Sequence, residues 1–250
     1  SYLSYFASAV REKDKRNSQE LVEEYTRNFL TGESAPGIDV EYKLVDAHLK
    51  AVKLSDINAL ASQYIADSNR DVVIMAPQKD SASLPGEETV NGWIKSVDDR
   101  KLSPYEDAFR KESLLSSLPP AGKVTDVEKL KDIGVTEMTL SNGMKVILKP
   151  TDYKHDEVRF NAFSPGGSSL YADSDFESAS SAAYIVENSG LGHFKPTDFP
   201  KLLSGKQLNV EPYISDRSEG LRGASTPKDL ETAFQLIHLY FTSPRKNSVI

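Results

Sequence analysis

Length, composition and charge exclude several classes of protein. The chain has 250 residues, of which 38% are apolar, enough for a hydrophobic core in one large domain or two smaller ones. Thirty basic and 37 acidic residues give a net charge of −7, and no sustained basic run offers the surface that nucleic-acid binding requires, so we expect no nucleic-acid partner. The absence of cysteine excludes a disulfide framework, a thiolate zinc site and a cysteine nucleophile.

The first ten residues, SYLSYFASAV, predict an amphipathic helix. They are too short to span a bilayer, have no basic region before them and run directly into REKDKR, so we expect neither a signal peptide nor a membrane span. The chain begins without methionine and stops at SPRKNSVI, soon after a strong helical pattern, which suggests a piece of a longer protein.

A second helix is predicted where capping signals enclose an apolar stripe. Asn17 is an N-cap candidate with Glu20 three residues later, and Gly32 ends the pattern. The stripe predicts one buried face and consists of Leu21, Val22, Tyr25 and Phe29.

Two further helices and a strand are predicted before residue 78. One helix covers residues 44–52, and Ser55 is the candidate N-cap of the next. The continuous apolar run at 72–75, closed by Pro77, is typical of a buried strand. Residues 1–77 are therefore predicted as one structural part.

Residues 78–134 predict a linker with short helices, because prolines, glycines and charges leave little material for a core. Trp93 and Ile94 are predicted to pin this linker to a neighbouring surface, an ordinary packing role for tryptophan.

A third part, residues 135–250, opens with a predicted hairpin. Apolar and polar residues alternate on both sides of Asn142 and Gly143, which are predicted to supply the positive backbone dihedrals of a tight turn. A third strand is predicted to end at Gly166 and Gly167, and two more strands are predicted on either side of a turn near Asp216.

Two helices with capping signals complete the pattern. Ser174 and Glu177 form a candidate capping box, and Thr226 is a candidate cap with Pro227 at the first helical position. The apolar stripe of the last helix consists of Leu230, Ala233, Phe234, Ile237 and Phe241. This order predicts an α+β fold with helices layered on mainly antiparallel sheets.

The four histidines lie too far apart in sequence to present two zinc ligands from one helix or turn. They are His48, His155, His193 and His238. Neither HExxH nor HxxEH occurs. A loose metal site at His193, with Glu187 and Asp198, is a weak alternative because nothing in the sequence fixes its geometry. The chain also lacks a GxSxG nucleophile elbow and the lysine of a phosphate-binding loop.

The order of these parts resembles the pitrilysin/insulinase family of zinc peptidases. The landmarks are LSNGMKVILKP, a strand that ends at GG, a capped helix that ends before SGLGHFKPTDF, and TPKDLETAFQLIHLYF. The upstream part, ending in DVVIMAP, resembles the closing helices and last strand of a preceding module. The resemblance implies two partial modules joined by the 78–134 linker, which would act as a hinge.

Active modules of that family carry HxxEH on the first helix. Alignment on Gly190 places Ser181, Tyr184 and Ile185 at the positions of histidine, glutamate and histidine. Serine is a poor zinc ligand, a phenol is a poor base at neutral pH, and isoleucine has no donor atom. The resemblance therefore implies no catalytic residue, no metal ligand and no bound cofactor in this chain, with zinc held elsewhere in the parent enzyme.

The resemblance implies a non-catalytic segment of a zinc metalloendopeptidase whose two halves close around a peptide or protein substrate. Its partner within the parent would be the other half of the same chain, and export in a bacterium is the expected location. An alternative is a structural or partner-binding protein built from degenerate peptidase modules. A free-standing enzyme that uses His193 is a third reading.

Overall fold

The computed structural model describes residues 2–64, 68–98, 100, 101, 103, 105–107 and 112–246. The chain divides into two compact units: Ser1–Leu49 together with Lys111–Ile250, and Lys50–Arg110. The last four residues, 247–250, lie outside the described residues.

Helices and antiparallel strands confirm the predicted α+β class. The described α-helices are α1 (Tyr2–Arg11), α2 (Ser18–Thr31), α3 (Ile38–Leu49), α4 (Leu54–Tyr64), α5 (Glu87–Asp98), α6 (Phe176–Ser189), α7 (Phe199–Leu202) and α8 (Leu230–Thr242). The described strands are β1 (Val124–Leu130), β2 (Val135–Leu140), β3 (Lys145–Leu148), β4 (Val158–Pro165), β5 (Leu208–Ile214) and β6 (Ser218–Ser225). Within the described residues, no helix combines the length and apolar character needed to cross a bilayer.

The strands form two antiparallel sheets in the first unit, with the orders β1-β2-β3 and β4-β6-β5. In the second sheet Phe160 and Val210 both pair with Gly223. Because side chains alternate between the two faces of a strand, these two apolar residues share the face on which α8 packs.

A core of buried apolar residues lies between this sheet and α8. Its buried members are Leu191, Val210, Leu221, Ala233, Leu236 and Leu239. The predicted stripe of α8 is correct for Ala233 and Ile237, but Phe234 and Phe241 are exposed. The sheet instead covers the adjacent face of α8, which carries Leu236 and Leu239.

The helix signals near the N-terminus are confirmed, but the predicted burial of α2 is not. The side chain of Asn17 accepts a hydrogen bond from the Glu20 N–H at 3.0 Å, and Gly32 ends α2 with φ of +71°. Val22, Tyr25 and Phe29 are nevertheless exposed, Phe29 at 86%. Leu21 is half-buried, but the described residues leave the rest of this stripe uncovered.

The second unit departs from two sequence predictions. Residues 72–75 form no strand, and Met75 is 91% exposed, so the predicted buried strand is wrong for this chain. A strand requires a partner for its backbone hydrogen bonds, and the described residues provide none at this segment. Ser55 is not the N-cap of α4, because the helix begins at Leu54 and Asp56 accepts a hydrogen bond from the Lys53 N–H at 2.9 Å.

Trp93 and Ile94 lie on α5, where the sequence predicted that they pin the linker to a neighbouring surface. Trp93 is exposed and Ile94 is half-buried. The predicted packing of Trp93 is therefore not present among the described residues.

The predicted hairpin forms, with a different turn. Leu140 and Met144 close it, and only Gly143 has positive φ, at +84°. The Gly143 N–H donates to the Leu140 carbonyl at 2.8 Å, as in a type I turn followed by a glycine bulge. Within the predicted linker, β1 pairs with β2, which the polar sequence VTDVEKL did not reveal.

A buried carboxylate joins the start of α8 to the start of β5. Asp229 accepts hydrogen bonds from the Gln207 N–H at 2.9 Å and the Thr226 hydroxyl at 3.1 Å. Burial raises the pKa of the Asp229 carboxyl, but these hydrogen bonds and the charges of Lys206 and Lys228 outweigh burial and lower the pKa below its usual value.

This lowered pKa predicts a loss of stability in acid. The carboxylate of Asp229 stabilises the fold above its unfolded pKa of about 3.9, and that contribution is lost as the pH falls through the lower folded pKa. We expect Asp229→Asn to lower the free energy of unfolding at pH 7 and to have a smaller effect at pH 3. Urea denaturation at both pH values measures the difference, and an equal effect at the two would contradict the assignment.

Candidate functional site

The segment that leads into α6 is fixed by a turn that only glycine can occupy. Gly167 has φ of +85°, and a Cβ there would lie 2.2 Å from the Ser215 carbonyl oxygen. The Ser168 and Ser169 N–H groups donate to the Ser215 and Asp216 carbonyls, both at 2.9 Å. The end of β4 is thereby held against the turn between β5 and β6. The strand ends at Pro165, directly before the glycine pair, as the sequence predicts.

The predicted capping box of Ser174 and Glu177 does not form. A single 3-10 turn, Asp173–Asp175, precedes α6, and the helix begins at Phe176 without a side-chain cap. The Asp175 N–H donates to the Ala172 carbonyl at 2.8 Å. Ser174 therefore lies inside this turn, and Asp175 takes the N-cap position of α6 that the sequence assigned to Ser174.

The end of α6 is held by a second glycine in a conformation that other residues avoid. Gly190 has φ of +90°, and a Cβ there would lie 2.4 Å from the Phe194 carbonyl oxygen. Its own carbonyl accepts from the Arg245 N–H at 3.2 Å, and Leu191 forms bridges to Phe194 and Pro244. The glycine used to align the motif therefore marks a tightly determined helix end.

Ser181, Tyr184 and Ile185 lie on α6 as the sequence predicts. Positions 181 and 185 are four residues apart and share one face of the helix, the spacing by which two side chains can bind one metal ion. Tyr184 is 65% exposed, Ile185 is 41% exposed and Ser181 is half-buried. These three side chains offer one hydroxyl, one phenol and no imidazole or carboxylate.

His193 contacts a carboxylate other than Glu187 and Asp198, the two that the sequence suggested. Its Nε2 lies 3.2 Å from Oε2 of Glu112, 81 residues away in the chain. Asp198 instead accepts from the Lys195 N–H at 2.7 Å, closing a local turn. The weak alternative of a metal site at His193, Glu187 and Asp198 is therefore not assembled.

The other histidines lie apart from this region. His48 is on α3 and exposed, His155 is exposed in the loop before β4, and His238 is half-buried on α8. In the part of the chain that the structure describes, no group of three or more histidine, cysteine, aspartate or glutamate residues could hold a metal ion.

Proteins of related sequence match most of the chain. A zinc protease PQQL-like protein of Arabidopsis thaliana is 30% identical over 242 residues, which is 96% of this chain. A probable zinc protease PqqL of Haemophilus influenzae is 26% identical over 209 residues. The chain therefore corresponds to a part of proteins that are named as PqqL-like zinc proteases. The predicted relation to the pitrilysin/insulinase family is confirmed. No protein-family model matches the chain.

The chain spans less than a quarter of these relatives, 23% of the first and 22% of the second. Solved protease structures share its fold. The periplasmic protease PqqL from Escherichia coli superposes with a TM-score of 0.51 at 18% identity, covering 97% of this chain and 27% of that one. The ferredoxin protease FusC, solved as a mutant in complex with Arabidopsis ferredoxin, superposes with a TM-score of 0.50 at 19% identity, covering 93% and 26%.

Proposed function

We propose that this chain is a non-catalytic segment of a zinc-dependent endopeptidase, in which it forms part of the hinge and of the wall around the substrate. The observation that supports the proposal is the alignment of 96% of the chain with part of a protein named as a zinc protease. At the α6 positions that the resemblance assigns to zinc ligands and base, the chain has Ser181, Tyr184 and Ile185. Without imidazole or carboxylate at these positions, α6 supplies neither a ligand nor an activated water.

The proposed organisation keeps the boundaries predicted from the sequence. Residues 1–77 close an upstream module, residues 78–134 form the hinge linker and residues 135–250 open a degenerate module. The zinc ion belongs to the upstream half of the parent protein, and the substrate is a peptide or protein. The FusC structure, a protease with a bound protein, and the periplasmic PqqL support the substrate class and an exported location.

The test compares this chain with the longer protein that contains it. We expect HxxEH to be encoded upstream of Ser1, and we expect the longer protein to cleave unfolded polypeptide in a chelator-sensitive reaction. A variant of the longer protein that carries Ser181→Ala, Tyr184→Ala and Ile185→Ala together should bind as much zinc as the unmodified longer protein. The 250-residue chain alone should show no hydrolysis.

Two results would count against the proposal. Chelator-sensitive hydrolysis by the 250-residue chain would place a catalytic centre within it, and variants of His193 would then locate that centre. A longer protein without HxxEH and without hydrolysis would instead support the alternative of a structural or partner-binding protein.

A further inference from the structure

The N-terminal helix is tied to the second sheet through one aspartate. Asp156, in the loop before β4, receives the Arg11 guanidinium, with Nη2 at 2.6 Å and Nε at 2.8 Å from Oδ2. The Ser8 hydroxyl lies 3.4 Å from the same oxygen, and the Asp156 N–H donates to Oε1 of Glu12. Ser8 and Arg11 of α1 and Glu12, directly after the helix, therefore converge on Asp156, and we name these four residues the latch.

Further contacts between the same two parts are also polar. The Ser4 hydroxyl donates to the Gly205 carbonyl at 3.0 Å, and the Gln207 side-chain amide donates to the Ser4 carbonyl at 2.6 Å. The Lys154 ammonium lies 3.4 Å from the Lys15 carbonyl. Residues 2–15, which make these contacts, are here termed the strap.

The strap is not packed into the apolar core. Among the described residues, the core cluster and the side chains packed against it all come from position 114 onwards. Phe6, the buried apolar residue of α1, has its ring contacts with Tyr2 and Tyr5 of the same helix. Burial of apolar surface, the main source of adhesion in protein interiors, therefore contributes little between the strap and the core.

A solvent-open cleft separates part of the strap from the second sheet. The cleft has a volume of about 380 Å³ and is lined by Ser8 and Glu12 on one side and by residues such as Asn209 and Thr226 on the other. Oε2 of Glu12 is buried and has no hydrogen-bond partner among the described residues. The cleft limits direct packing between the two parts, and an unpaired buried oxygen costs free energy, so the contact is weak.

We propose that the strap opens when the latch breaks and carries with it α3, against which α1 packs and to which Lys13 is joined through Asp39, while the second sheet and α8 stay folded. The latch is accessible to salt, because the side chain of Arg11 is 51% exposed and that of Asp156 is 16% exposed. Regions held by few buried apolar contacts open at lower free energy than the core. The role of this motion rests on the proposed function. The strap belongs to the proposed upstream module, residues 1–77, and contacts the proposed downstream module, residues 135–250, so its release would loosen the hinge between them.

The test uses the absence of cysteine in the chain, which makes two introduced thiols the only labelling sites. Spin labels at Asp14→Cys and Lys228→Cys report the distance between strap and core by pulsed electron resonance. We expect Asp156→Ala to increase the population at long distance, relative to the population at short distance, about 5- to 30-fold. A change of this size corresponds to the loss of one modest interaction. We expect 1 M NaCl to shift the parent chain in the same direction.

Asp152→Ala, in the same loop and exposed, is the matched control and should leave the distances unchanged. Hydrogen exchange in α8 should be unaffected by Asp156→Ala, and Arg11→Gln provides the same test from the exposed side of the ion pair if Asp156→Ala does not fold. An unchanged distance distribution in a folded variant, or equal loss of protection in α8, would overturn the proposal. Neither readout involves zinc or hydrolysis, so failure here is distinct from failure of the proposed function.

Discussion

Gly190→Ala is expected to destabilise the first unit by about 2–6 kcal/mol. Backbone strain at the positive φ contributes about 1–3 kcal/mol, and displacement of the crowded neighbour contributes a similar amount. The crowded neighbour is the backbone carbonyl of Phe194, 2.4 Å from the added Cβ, which cannot move without disturbing the bridge from Leu191. Urea denaturation followed by far-ultraviolet circular dichroism measures the change.

Gly205→Ala is the matched control for this prediction. Gly205 has φ of +84°, similar to Gly190, but its added Cβ would meet only the Ser4 hydroxyl at 3.9 Å. Gly205→Ala should therefore lose only the free energy that backbone strain costs, about 1–3 kcal/mol. Equal losses for the two variants would show that the close approach of Gly190 to Phe194 does not constrain the end of α6.

Zinc affinity is expected to rise at least about 100-fold, or about 2.8 kcal/mol, when Ser181→His, Tyr184→Glu and Ile185→His are combined. The three substitutions restore HxxEH on α6, with two imidazoles on one face of the helix. The half-buried or exposed state of these positions leaves room for the larger side chains. Competition with a fluorescent zinc chelator measures the affinity.

The control places the same side chains at a spacing that cannot chelate. Ser180→His, Tyr184→Glu and Ile185→His put the two imidazoles five residues apart, on different faces of α6. Ser180 is exposed, so the substitution fits. Comparable zinc affinity in both triple variants would mean that α6 does not present positions 181 and 185 as a ligand pair.

Features that depend on neighbouring residues in the chain could be predicted from the sequence. The Asn17 cap, the stop at Gly32 and the Thr226 cap of the last helical segment all formed as predicted, because each is a contact within a few residues. The glycine turn at the end of β4 and the helix that carries Ser181, Tyr184 and Ile185 followed in the same way. The predicted capping box at Ser174 is an exception, because the 3-10 turn Asp173–Asp175 forms in its place.

Features that depend on a distant or missing partner could not be predicted. The run at 72–75 has a strand's composition but lacks a neighbouring strand among the described residues, and the stripe of α2 lacks a covering surface. The pairing of His193 with Glu112 and of Arg11 with Asp156 joins residues 81 and 145 positions apart. No local pattern marks such contacts, since either partner alone looks like an ordinary charged surface residue.

The most direct measurement is the zinc content of the unmodified 250-residue chain after equilibration with excess Zn²⁺ and gel filtration. A chain whose α6 carries Ser181, Tyr184 and Ile185 should retain far less than one equivalent of zinc. One tightly held zinc ion per chain, insensitive to His193→Ala and lost on substitution within α6, would contradict the account.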